Sequence, residues 1–134
     1  MANNPFISDA AAKAATDAVC ALCNGGTIQV RSGTQPANAN AAATGSLLVT
    51  LGFSATAFAP AGATGGQATA NAISAGTVAT TGTATWFRAL KSDGTTAVFD
   101  GSVGTSAADL ILSSVSLTAG GQVSVSSFTY TSTE

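Results

Sequence analysis

Bulky apolar side chains are scarce in this chain: Val, Leu, Ile and Phe together number 27 of 134 residues. That is close to the level at which a polypeptide can no longer bury enough apolar surface to offset its conformational entropy. Disorder, however, also requires strong net charge, and the formal net charge here is −2. The remaining solution is a lean core closed by small residues, which 29 Ala, 20 Thr, 15 Ser and 15 Gly can supply. The length gives room for one domain. A small domain with so thin an interior buries only a modest fraction of its surface, so burial against other chains is expected to complete it. Four cationic and six acidic residues leave the surface weakly hydrated and weakly self-repelling. An oligomer or an assembly component is therefore expected.

The same scarcity excludes several function classes. Lys13, Arg31, Arg88 and Lys91 form no run and are outnumbered by acids, whereas phosphate neutralisation depends on clustered Lys and Arg; no nucleic-acid partner is expected. No apolar run approaches the ~20 residues of a membrane-spanning helix. Residues 1–7 have neither the basic nor the apolar region of a secretory signal, so synthesis and use in a cytoplasm, or release within a particle, is expected. Histidine is absent, which removes the usual general base near neutral pH, the Ser-His and Cys-His pairs and the commonest metal ligand. The carboxylates are Asp9, Asp17, Asp93, Asp100, Asp109 and Glu134. Asp93 and Asp100 flank a hairpin and could form an acid/base pair, but a structural role in the Asp-Gly turn suits Asp93 better. No glycine pattern matches a phosphate-binding loop. An enzyme is not expected, and neither a cofactor nor a metal is implied.

Along the chain, residues 1–26 read as an arm and residues 27–134 as a β-domain. Asn3-Asn4-Pro5-Phe6 is an extended lead, Ser8 an N-cap, Asp9 a favourable first-turn charge, and Asn24-Gly25-Gly26 a helix stop. Between them Ala11, Ala15, Val19 and Leu22 form a narrow apolar stripe, expected to dock on the β-domain or on a neighbouring subunit. After Gly26 the period becomes two. Strands are expected at Thr27 to Arg31, Leu47 to Phe53, Thr77 to Thr80, Thr83 to Leu90, Thr95 to Asp100, Asp109 to Ser113, Val115 to Leu117 and Gln122 to Tyr130. Asp93-Gly94 is the strongest hairpin signal, and a bulge near Ser126-Ser127 reconciles Val123 and Val125 with Phe128 and Tyr130. Residues 54–76 read either as a low-complexity linker or as short edge strands. About eight short strands with polar turns predict a mainly β fold: one β-sandwich or jelly-roll-like domain with an N-terminal α-helical arm.

Three local features bear on chemistry. Cys20-Ala21-Leu22-Cys23 has redox or half-zinc spacing, but it falls at a helix C-terminus, where the dipole does not lower a thiol pKa. A zinc site would need ligands from another chain. Buried apolar thiols are the first reading, an inter-subunit disulfide the second and a metal the last. Trp86 and Phe87 occupy opposite faces of one strand, so both faces are expected to be covered; Trp86 reads as core before ligand platform. Arg88 is expected to pair with Asp100 across the hairpin, contributing ~0.2–1 kcal/mol if exposed. The interface candidates are Phe6, Ile7, Ala11, Ala15, Val19, Leu22, Arg31 and Phe58.

Three stretches resemble small virion proteins of tailed bacteriophages and prophages. They are Gln29-Val30-Arg31-Ser32-Gly33-Thr34-Gln35-Pro36 with Gly45-Ser46-Leu47-Leu48; Gly82-Thr83-Ala84-Thr85-Trp86-Phe87-Arg88 with Asp93-Gly94; and Ala108-Asp109-Leu110 to Phe128. Together they span most of residues 28–130, and the middle stretch is the most distinctive. The resemblance implies a non-catalytic capsid decoration, or cement, protein on the capsid exterior. It would be made in the host cytoplasm, bind the major capsid protein and sit as a homo-oligomer, a trimer in many such proteins. A tail or head-tail connector component is a second reading. A carbohydrate-binding or host-adhesion module is a third, with Trp86, Phe58 and Tyr130 as stacking candidates.

Overall fold

A computed structural model describes residues 7–61 and 67–131, in a mainly β arrangement with one helix. Helix α1, Asp9–Leu22, starts where Ser8 accepts a hydrogen bond from the Ala11 backbone N–H and Asp9 complements the dipole. It ends at Cys23, beyond which Gly25 takes a φ of +68°. The strands are β1 Thr27–Arg31, β2 Leu47–Gly52, β3 Gln67–Thr69, β4 Gly76–Thr77, β5 Gly82–Thr83, β6 Trp86–Leu90, β7 Ala97–Gly104, β8 Leu110–Leu112, β9 Ser116–Leu117, β10 Gln122–Val123 and β11 Val125–Thr131.

Seven of them form one mixed sheet in the order β2-β1-β6-β7-β8-β11-β3, while β10-β4 and β5-β9 are two-stranded ribbons. Period-two patterning sets the register at its centre. Ile28 faces Leu51 on one side and Ala89 on the other, and Val30 faces Val49 and Phe87. A one-residue slip would send this whole set to the opposite face. On the core side, Phe128 contacts the rings of Phe53, Phe58, Phe87 and Phe99 at 5.0–6.0 Å between centroids. Val78, Leu117 and Val123, from in or beside the ribbons, belong to the same cluster. The close approach of the ribbons needs missing side chains: a Cβ on Gly76 would lie 2.6 Å from the Thr50 carbonyl oxygen.

The segment that reads as a linker or edge strands is built into the domain. Phe58 bridges Ala70, and Ser74 bridges Gly52. Residues 62–66, with Gly62 and Gly65-Gly66, and the extended lead at residues 1–6, lie outside the described residues. The expected long strand from Thr83 to Leu90 is split, because Ala84 turns its N–H to Val115 while Thr85 bonds Arg31. The expected strand from Gln122 to Tyr130 divides into β10 and β11, and the register shift in β11 falls between Val125 and Ser127.

The turn at Asp93-Gly94 joins β6 to β7. The Asp93 carboxylate accepts from the Thr95 and Thr96 N–H groups and from the Thr96 hydroxyl. These bonds hold its carboxyl well below the usual range, so this contribution is present at neutral pH and lost only on strong acidification.

One connection departs from the usual rule. β7 and β8 are parallel, Val103 opposite Leu110, yet only residues 105–109 join them, where parallel neighbours normally need a crossover of a dozen or more residues. The loop doubles back on itself. Asp109 Oδ2 accepts from the Ser102 N–H and hydroxyl, the Asp109 N–H donates to Ser102 Oγ, and Ala107 takes a φ of +51°.

Candidate functional site

The helix presents two unlike faces. Ala12, Thr16, Cys20 and Cys23 point inward, and α1 packs on β3 and β11. Asp17 accepts from the Ala61 N–H at 2.8 Å and Asn24 from the Ala57 N–H at 2.8 Å, which fixes the helix to residues 57–61. The stripe read from the sequence lies one position to the side: Ala11 and Ala15 are exposed, Val19 is half-buried and Leu22 is 47% exposed. Ile7, just before the helix, is 38% exposed, and these two are the exposed large apolar residues among those described. Lys13 and Asp17 neutralise each other at 2.7 Å, so the outward face from Ala10 to Leu22 offers mainly methyl groups. Phe6 lies outside the described residues.

Phe58 requires correction as an interface or stacking candidate. It is 5% exposed and packs on Phe53 and Phe128, because a core so short of bulky residues takes in each available ring. Trp86 is 1% exposed, and its indole N–H donates to the Ser32 carbonyl at 3.1 Å. Neither ring is presented for stacking on a sugar. Tyr130 is half-buried, 4.7 Å from Phe99.

The sheet face opposite the core is polar but closed. Arg88 donates from Nε and Nη2 to both carboxylate oxygens of Asp100, at 2.7 and 2.9 Å, and lies 5.6 Å over the Trp86 ring. Only 8% of the Arg88 side chain and 3% of the Asp100 side chain are exposed. The ion pair anticipated across the hairpin is present, and it is buried. Beside it, Arg31 donates to Gln29 Oε1, and burial together with the Arg88 charge lowers the Arg31 pKa. Arg31 is half-buried on this face.

Cys20 and Cys23 are free and buried. Burial pushes the Cys20 thiol up to about 11 and the Cys23 thiol to about 12, opposite to the shift a redox or metal pair needs. With the thiolate as the reacting form, both should resist alkylation at pH 8 in the folded chain and react at the ordinary rate once it is unfolded in urea. Rapid labelling of either thiol under native conditions would contradict this burial. Among the described residues no group of three or more His, Cys, Asp or Glu could hold a metal ion, and no helix is long and apolar enough to cross a membrane.

A further feature has no counterpart in the strand pattern of the sequence. Because β8 is short, the sheet opens between the first half of β7 and the end of β11. The resulting cleft of about 200 Å³ is lined by Phe99, Asp100, Asp109, Thr129, Tyr130 and Thr131. Its origin is the doubled-back loop at residues 105–109, a parallel connection that local periodicity does not encode.

In comparisons with known proteins, no family model, curated protein or solved structure matches the chain.

Proposed function

We propose that this chain is a structural component of a bacteriophage virion. On this reading it is a capsid decoration protein that binds the major capsid protein on the outside of the head and reinforces the shell as a homo-oligomer. The observation that carries the reading is the outward helix face: Ile7, Ala11, Ala15 and Leu22 are exposed around one side of α1 without a free charge between Ala10 and Leu22. Small residues there let another backbone come close, and Leu22 adds an apolar anchor. The carboxylates of Asp17, Asp93, Asp100 and Asp109 all take part in bonds that hold the fold, which supports a scaffold over a reaction centre. The finer β-sandwich or jelly-roll reading draws its support from residues of the helix and of the ribbons that share the core cluster of the sheet.

Two measurements test the proposal. Electron microscopy of particles carrying the chain should find it as a regular lattice over the head at several copies per capsomer; density confined to one vertex or to the tail would instead make it a connector or tail component. In solution, Ala15→Glu with Leu22→Glu should leave the unfolding midpoint nearly unchanged, since both sites are exposed, while abolishing binding to the shell. Unimpaired binding by the doubly substituted chain would remove the helix face as the contact.

A further inference from the structure

The two outer edges of the large sheet are covered, whereas its internal cleft is not covered by any of the described residues. Along β2, Ala79 and Thr80 donate to the Leu48 carbonyl and Ser74 to that of Gly52; along β3, Ala59 donates to the Thr69 carbonyl. Such cover is how sheets avoid unwanted pairing. Inside the sheet, backbone directions alternate along each strand. The Ser102 N–H points away from β6 to the Asp109 carboxylate, so Asp100, two residues earlier, turns its N–H and C=O the same way, into the cleft. On the other wall, Phe128 gives its carbonyl to Ala70 in the turn toward β3, while the Thr129 N–H turns the opposite way, to the Asp109 carbonyl. By the same alternation the Thr131 N–H turns the way of the Thr129 N–H. No strand pairing joins β7 directly to β11. Two strand edges of matching parity therefore face one lane in line with β8, and among the described residues no strand fills it.

The lane has a closed end and an open end. Asp109 and β8 stop it at the Ser102 end, and among the described residues nothing closes it beside Ala97 and Thr131. A segment that fills it must therefore enter by a chain terminus. Charge selects which one. Asp100 is neutralised by Arg88, but Asp109 has no ion pair among the described residues, and its Oδ1 accepts no hydrogen bond there. A terminal carboxylate would meet this charge as a repulsion, and an α-ammonium group as a partner.

We infer that the cleft between β7 and β11 is a strand-addition site for the free amino terminus of a partner protein. The amino group seats at Asp109, and the first residues pair with Asp100 and Thr131. The incoming strand runs antiparallel to β7 and parallel to β11. Recognition of this kind rests on main-chain hydrogen bonds, and Phe99 and Tyr130 line the lane with ring surface. The inference deepens the reading as an assembly component, and its test needs no particle, so its failure would leave the helix-face contact standing.

The test uses the whole ¹⁵N-labelled chain and the pentapeptide Ala-Thr-Val-Thr-Ala with a free amino group and an amidated end. Because pairing is through the main chain, small and β-branched residues suffice as a probe. In the protein alone the Asp100 amide should exchange with solvent much faster than those of Phe99 and Gly101. Added peptide should shift and protect the Asp100 and Thr131 amides. The N-acetylated peptide should bind about threefold more weakly, as expected for loss of one ion pair to an exposed carboxylate, and Asp109→Asn should erase that difference. The inference is overturned by an Asp100 amide already protected without peptide, by no change at millimolar peptide, or by equal binding of the acetylated and free forms to the unmodified chain.

Discussion

Phe128→Ala should lower the unfolding free energy by about 3–5 kcal/mol, the range for removing a buried aromatic ring, as measured by urea denaturation at fixed temperature. The ring is 1% exposed and touches four other phenylalanines. Its neighbours come from the segment after β2 (Phe53 and Phe58), from β6 (Phe87) and from β7 (Phe99), so one deletion loosens distant parts of the chain together. Those rings belong to or pack against one core cluster, so the space left by the ring would be filled only in part. Domains of this size have only ~5–15 kcal/mol to lose, and the core here is lean, so partial unfolding at room temperature is within the expected result. A loss below about 1 kcal/mol, the scale of an ordinary surface change, would show that the ring cluster is not the centre of the core.

Asp100→Ala is expected to cost a similar amount, about 3–5 kcal/mol, because it strands the Arg88 guanidinium inside the protein. The pair is bidentate, nearly solvent-free and stacked over Trp86. The informative comparison is a double replacement, Arg88→Met with Asp100→Leu. Replacing both charges with apolar groups of similar size is often neutral or stabilising for buried pairs, so the double variant should recover most of the stability lost in the single one. Equal damage from both would mean that shape, rather than the isolated charge, governs this face. A single-variant loss within ~0.2–1 kcal/mol would return the pair to the exposed class.

The legible parts of the fold were those dictated by local chemistry. Ser8, Asp9 and Gly25 delimit the helix, Asp93-Gly94 the hairpin, and alternation in β1 and β2 the centre of the sheet. Positioning Trp86 and Phe87 on opposite faces of β6 also follows from period two, and both rings are buried. What remained hidden is non-local. Helical spacing groups Ala11 with Ala15, but with alanines on every side of α1 it does not say which group turns inward; Thr16, Cys20 and Cys23 do so because β3 and β11 lie there. The role of Phe58 depends on chain folding across residues 54–61, which has no strong period. Burial of Arg88 and Asp100 depends on how a whole sheet face closes. The cleft depends on a parallel pairing across five residues, for which no short-range signal exists.

The docking of α1 on β11 has a kinetic consequence. Its surface is complete only when a strand made much later in synthesis is in place, and β1 likewise waits for β6, with Ile28 beside Ala89. Such long loops must close before any contact compensates the lost freedom, placing the chain among topologies that fold in milliseconds to seconds rather than microseconds. A nascent chain would therefore leave the ribosome with its first helix undocked, and chaperone binding or low temperature during expression should raise the yield of native protein.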